Sequence, residues 1–317
     1  MMDGLFTLIQ SAIAFGTIIM FGCVGETLSE KGGNLNLGVP GIMYLGGIAS
    51  LAGAYGYENA VENPSKVIAF IIALVCAVAA SVFGGLIYSF LTISLRANQN
   101  VTGLTLTIFG SGVANFFGGS LSKLAGGVGQ ISVPVTSSAY KVGIPGVNFG
   151  ILVYVAIVVA FVAQYFLTGT RKGLNLRAVG ENPATADAAG VNIVKYKYLA
   201  TCIGAAISGL GGLYYVMDYT KGTWANDGSL ENLGWLALAL VIFTMWKPLN
   251  AVWGAYVFGV LFWLYYYVPG LGRSSQELFK MIPYVVTIIV LIIVSTRNKR
   301  ENQAPASLGE AYFREDR

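Results

Sequence analysis

The sequence predicts an all-α, polytopic membrane protein, a helical bundle of about nine spans with a short helix set in one connecting loop. Three observations predict it. Hydrophobic residues make up 55% of the chain and charged residues 11%, with a mean hydropathy of +0.67, well outside the soluble globular range. The apolar residues fall in runs near the length of a bilayer core, at residues 5–24, 39–56, 67–92, 100–118, 147–168, 199–217, 231–245, 251–268 and 281–296. No interior of these runs carries Asp, Glu, Lys or Arg.

The first run does not read as a cleavable signal, because no basic residue precedes it and no small-residue cleavage pattern ends it before Glu26. Gly25–Gly47 follows, reading GETLSEKGGNLNLGVPGIMYLGG. Glu26, Glu30 and Lys31 mark the end of the first span, and the glycines and Pro40 then permit a tight, non-helical passage. The passage is either a Gly-rich turn or a broken segment beside a translocation path. A broken segment must have its freed backbone groups satisfied by protein or by a water-filled cavity. Asn34, Asn36, Gly38 and Pro40 are its candidate residues. The runs 39–56 and 231–268 are Gly- or Pro-interrupted and are open to a re-entrant or broken form.

Gly118–Asn148, with Pro134 and Pro145, is the longest expected outer loop; it reads as a gate, a docking face or an ordinary connection. Phe116, Phe117, Tyr214 and Tyr215 either pack and anchor, as most such aromatics do, or line a passage and stack on a flat base or sugar face. Small residues in Ala69–Gly85, Gly103–Gly119 and Gly204–Gly212 allow close helix approach.

Between the fifth and sixth runs lies Gly173–Tyr198, GLNLRAVGENPATADAAGVNIVKYKY. Asn182 is a good N-cap, Pro183 suits the first helical position, and Gly190 suits the position just past the end. The body, Pro183–Ala189, is about 10 Å long with mostly methyl-sized side chains. Such a helix is an orderly loop or a lever on which a soluble motor pushes. Arg171, Lys172, Arg177, Lys195 and Lys197 place this loop in the cytoplasm, and with the other Lys and Arg they favour an N-out, C-in orientation. The expected division is a membrane domain over 1–296, with a cytoplasmic loop at 169–198, and a polar, solvated cytoplasmic tail over 297–317. The RNKR run of that tail anchors the last helix; no nucleic acid partner is expected.

Histidine is absent, which excludes an imidazole base or metal ligand from this chain, and no metal site or cofactor is expected. Cys23, Cys76 and Cys202 lie far apart in apolar runs and read as small core residues. The charge-free runs give no ionisable relay for ion coupling. No G-x-x-x-x-G-K-[ST] loop exists, so the chain is not itself an ATPase and uphill transport needs a partner's energy.

The run RAVGENPATADAAG resembles, along its length, the cytoplasmic coupling loop of ABC importer permeases of the simple-sugar, nucleoside and branched-chain amino-acid permease family. Glu30, Gly33, Asn36, Leu37 and Gly38 stand where that family carries an E-x-x-G-x-x-N-L-G-type element. GLGGLYYVMDY and ALALVIFTMWKPLNAVWGA extend the resemblance to essentially the full length. The chain is most similar to the second permease subunit of bacterial nucleoside importers served by a BMP-type lipoprotein. The resemblance implies a cell-membrane transport subunit, not an enzyme, with three protein partners. These are a second, related but different permease subunit, an extracytoplasmic substrate-binding lipoprotein, and an ABC ATPase. The ATPase would dock on Asn182, Pro183, Ala184, Thr185, Ala186, Asp187, Ala188, Ala189 and Gly190. The implied cargo is a small neutral polar solute, first a nucleoside, with a pentose or hexose as the alternative. An ATP-independent channel is the rival from another class.

Overall fold

A computed structural model describes residues 2–124, 131–141, 149–224, 227–267, 278–279, 281–297 and 303–313. Parts of the expected outer loop (125–130 and 142–148), the RNKR run beyond Arg297, Arg314–Arg317, Arg273 and Lys280 lie outside the described residues.

Every named element is helical. α1 (Met2–Lys31), α2 (Val39–Ala60), α3 (Lys66–Ser89, prolonged by a π turn, Phe90–Ser94) and α4 (Gln99–Leu124) come first. A six-residue α5 (Pro134–Ala139) and α6 (Ile151–Gly169) follow. Next come α7 (Arg171–Glu181), α8 (Pro183–Ala188) and α9 (Ile193–Tyr214, prolonged by a π turn, Tyr215–Tyr219). α10 (Ser229–Phe243), α11 (Pro248–Tyr267) and α12 (Ile282–Arg297) complete the chain's helices among the described residues.

A helix thus stands at each of the nine apolar runs, yet six are long and apolar enough to cross a membrane: α1, α3, α4, α6, α9 and α11. The other three differ for physical reasons. α2 has 22 residues, long enough, but its glycines, tyrosines and Pro40 leave it less apolar than the six; α3, α9, α4 and α10 enclose it. α10 has 15 residues and rises about 22 Å, short of a hydrocarbon core of about 30 Å. α12 has 16 residues. The Gly/Pro-interrupted run at 231–268 is indeed two helices, parted where Met245 and Trp246 take positive φ of 57° and 55°. The run at 39–56 is one continuous helix.

α1 and α9 form the axis of the bundle and pack on each other; α1 also packs on α11 and α10, and α9 on α2 and α3. Glycine sets the closeness of the α1–α9 crossing and of the α2–α4 crossing. A Cβ on Gly25 would strike the Gly204 carbonyl, and one on Gly110 would strike the backbone of Gly41. The small-residue stretch of α4 divides accordingly, with Gly103 and Gly110 at contacts and Gly112 and Gly119 facing open space.

α1 also corrects the reading of charge-free spans. It has 30 residues and rises about 45 Å, so its apolar part crosses a bilayer core and its last turns carry Glu26, Glu30 and Lys31 onward in the same helix. Glu26 and Glu30 are 2% and 5% exposed. Burial by neighbouring helices, invisible to hydropathy, takes these carboxyl groups inside the fold.

The described part of the loop between α4 and α6 folds back as a cap on α2 and α3. The Thr136 amide and hydroxyl donate to Glu58 Oε1 at 2.7 and 2.6 Å, placing an acid at the start of α5. The Tyr140 hydroxyl donates to the Phe70 carbonyl at 2.9 Å, and burial pushes its phenol well above the usual tyrosine range. Glu58→Gln keeps one acceptor but removes the charge; proteolysis within residues 125–148 is expected to accelerate several-fold over the unchanged chain, as about 1 kcal/mol of hydrogen bonding is lost. An unaltered cleavage rate would show that Glu58 does not hold the cap.

Candidate functional site

α8 is built from its two ends. The Asn182 side chain accepts from the Thr185 amide at 2.9 Å, and Pro183 stands in the first turn, where a missing N–H costs nothing. At the other end Gly190 takes φ +83°. Its amide donates to the Asp187 carbonyl at 2.9 Å, and the Val191 amide donates to the Ala186 carbonyl at 3.0 Å. These are the paired bonds of a Schellman motif. Ala184, Thr185, Ala188 and Ala189 are exposed, so α8 presents a shallow surface of small side chains. Ala186 is 4% exposed and packs with Val179 and Ile193, against which Val191, Tyr196 and Tyr312 also lie. Ala186 therefore anchors α8 from beneath.

Two further helices frame α8. The Thr170 hydroxyl accepts from the Gly173 amide at 3.0 Å and caps α7, and Asn192 Oδ1 accepts from the Lys195 amide at 2.9 Å and caps α9. Lys197, expected as a loop cation, sits in α9 and is 4% exposed. The helix begins six residues earlier than the apolar run and carries the lysine into the fold.

Directly against α7 lies the non-helical turn between α1 and α2. Gly33 takes φ +84°, and a Cβ there would meet Gly180 Cα at 3.4 Å. A Cβ on Gly180 would in turn collide with the Lys31 carbonyl. The loop and the turn thus touch backbone to backbone.

The turn is buried, and most of its polar groups are met by four helices; Asn34 Oδ1 alone among its side-chain polar atoms is buried without a partner. The Asn36 amide donates to Glu26 Oε1 at 2.8 Å, and the Gly38 amide to Asn36 Oδ1 at 2.9 Å. The Leu35 amide donates to Gln99 Oε1 at 2.7 Å, while its carbonyl accepts from the Tyr88 hydroxyl at 2.6 Å. The Thr107 hydroxyl donates to the Leu37 carbonyl at 3.0 Å. Asn34, 0% exposed, donates through Nδ2 to Thr201 Oγ1 at 2.8 Å. Irregular backbone is thereby held inside protein by α1, α3, α4 and α9. The adjoining carboxyl group of Glu30 accepts from the Trp246 indole, which ties the α10–α11 turn to the end of α1.

The remaining candidates separate. Pro40 is buried in the first turn of α2, against Gly234 of α10. Tyr214 lines a cavity of about 620 Å³ with Gln10, Asp218, Tyr219 and Trp263, at the end of the bundle opposite α8. Tyr215 is buried and stacks on Tyr219, with ring centres 5.6 Å apart. Phe116 and Phe117 lie exposed on the surface of α4.

Residues 8–291 match the family described as the permease component of branched-chain amino acid transport systems. The chain belongs to that family. Full-length relatives agree. TsgC13 of Haloferax volcanii, named for glucose transport as an ABC permease, is 29% identical over 97% of this chain and 98% of its own. The nucleoside ABC transporter permease NupC of Lactococcus lactis is 28% identical over 90% of this chain and 91% of its own. The guanosine ABC transporter permease NupQ of Bacillus subtilis is 29% identical over 90% of each chain. No solved structure matches the chain. This is a permease subunit of an ABC transporter, a multi-pass protein of the cell membrane.

For this permease, sequence reasoning found α8 and the turn but missed what joins them. Gly180, Gln99 and Trp246 carry no local pattern that marks a contact made far along the chain. A polar glutamine at the mouth of an apolar run, as Gln99 is, was the one available signal.

Proposed function

We propose that this chain forms, with a second and related permease subunit, the pathway of an ATP-driven importer for nucleosides. A lipoprotein delivers the cargo outside, and an ABC ATPase docks on the small exposed residues of α8 in the cytoplasm. The permease is oriented N-out and C-in, with about nine crossings once α2, α10 and α12 are counted with their neighbours. The observation that carries this reading is the doubly capped α8, joined through the Gly180–Gly33 contact to a buried turn bonded by four helices. ATP-driven closure displaces α8, α7 transmits the displacement at Gly180, and the helices gripping the turn shift together. The 620 Å³ aromatic-lined cavity serves as the outer vestibule, where Tyr214, Tyr219 and Trp263 suit a flat ring. A neutral cargo fits, since Glu26 and Glu30 already accept internal donors. The names of NupC and NupQ favour a nucleoside; that of TsgC13 keeps a simple sugar as the alternative.

Uptake of radiolabelled nucleosides and sugars, with and without ATP depletion, tests the proposal. ATP-dependent nucleoside uptake that vanishes on deletion of this chain is expected. Sugar uptake alone would change the cargo, and ATP-independent flux would replace the importer with a facilitator. Within the complex, Ala188→Arg should lower uptake at least tenfold while membrane insertion stays intact, because the arginine stands where the ATPase seats. Normal uptake in this variant would remove α8 from the coupling contact. Ala186→Arg is the wrong probe, since it disrupts the packing beneath the helix.

A further inference from the structure

The polar composition of the C-terminal tail predicts a solvated end, yet its described part is bonded to the fold. Residues 303–313 lie along the cytoplasmic loop and the buried turn, bonded to both. The Ser307 amide and hydroxyl donate to the Gly180 carbonyl at 3.1 and 2.6 Å. The Gly309 amide, with Gly309 itself at φ +82°, donates to the Gly33 carbonyl at 3.3 Å. Gln99 uses both ends of one amide: Oε1 accepts from Leu35 in the turn, and Nε2 donates to the Glu310 carbonyl at 3.4 Å. The Glu310 carboxylate interacts with the buried Lys197 charge, and the Tyr312 hydroxyl donates to Asp187 Oδ2 of α8 at 3.0 Å. The Tyr312 ring packs against the cluster that holds Ala186. The Arg96 guanidinium lies 4.5 Å from the centre of the Phe313 ring and closes the far end.

We infer that residues 303–313 are a strap that positions α8 on the buried turn, so that the two move as one body during transport, with Tyr312 and Ser307 as its positioning residues. Three things support this. The strap's bonds reach the loop at Gly180 and Asp187 and also the turn and its support at Gly33 and Gln99. Its bonds fall at both ends of the Gly180–Gly33 contact, which alone is two glycines with no side chain to hold it. The bond from Tyr312 reaches α8 itself, the part most easily rotated away because α8 is only six residues long. The inference rests on the reading that the ATPase acts through α8.

The experiment has two readouts. Amide hydrogen exchange at 183–191 is measured on the purified full-length chain and does not depend on any partner. Uridine uptake per ATP hydrolysed is measured on the reconstituted transporter. Tyr312→Phe removes the hydroxyl from a partly exposed ring and should leave the fold intact. Exchange is expected to rise about 3- to 10-fold, and uptake per ATP to fall by a similar factor. Asp187→Asn, which keeps an acceptor oxygen, should restore most of both relative to Asp187→Ala. Unchanged exchange in Tyr312→Phe overturns the strap as a restraint, and faster exchange with unchanged uptake per ATP overturns its part in transport. Normal uptake in Ala188→Arg would instead defeat the docking reading, and the exchange result would still judge the strap.

Discussion

Trp246→Phe is expected to destabilise the permease by about 1.5–3 kcal/mol, the usual worth of a hydrogen bond to an acidic group within a protein interior. The phenyl ring fills most of the indole's volume but cannot donate, so Glu30 Oε2 loses the indole N–H while remaining buried. The α10–α11 turn would feel the loss first, since Met245 and Trp246 hold positive φ there against the ordinary preference of residues with a Cβ. Thermal or denaturant unfolding of Trp246→Phe, Glu30→Met and the double variant closes a double-mutant cycle, each single change removing the bond. A coupling energy below about 0.5 kcal/mol, the scatter expected for independent sites, would show that the two residues do not support each other.

Gly180→Val should have the larger effect on transport. Its side chain would be driven into the Lys31 carbonyl, and the Gly33 amide lies 3.1 Å from where its Cβ would stand. The segment of α7 and α8 must then retreat from the end of α1, at a cost of about 1–3 kcal/mol for overpacking. The membrane helices are untouched, so insertion should proceed. Uptake per ATP hydrolysed is expected to fall at least tenfold, because α8 is displaced from the turn it is proposed to drive. Gly180→Ala should give an intermediate value. Full uptake in Gly180→Val would mean that the loop and the turn work independently.

Much of α8 was legible because its determinants are local. Asn182, Pro183 and Gly190 occupy the N-cap, the first turn and the left-handed exit within nine consecutive residues. α7 was not legible. Its sequence, RKGLNLRAVGE, has two glycines and no sustained apolar period, and it is helical through the Thr170 cap and the burial of Leu176 and Val179. The same divide separates the turn from the strap. Gly33 and Gly38 announce a break, whereas Ser307 and Gly309 sit in a polar stretch whose composition alone means solvent. Their bonds reach partners more than a hundred residues away, and only folding brings those together. Hydropathy erred in one direction at both axial helices. α1 and α9 run past their apolar cores and carry Glu30 and Lys197 into protein, because backbone hydrogen bonding continues where apolar sequence stops.

α2 has a consequence for how the permease is made. A ribosome delivers it second, but α9 and α10, which cover much of its surface, are synthesised more than a hundred residues later. At about 5–20 residues per second, the nascent helix waits on the order of 10–30 s for the neighbours that will enclose it. Throughout that interval the face of α2 that α9 and α10 will cover stays open to lipid or the insertion machinery. A membrane chaperone or protease that meets the chain in that interval would meet α2 with this face uncovered.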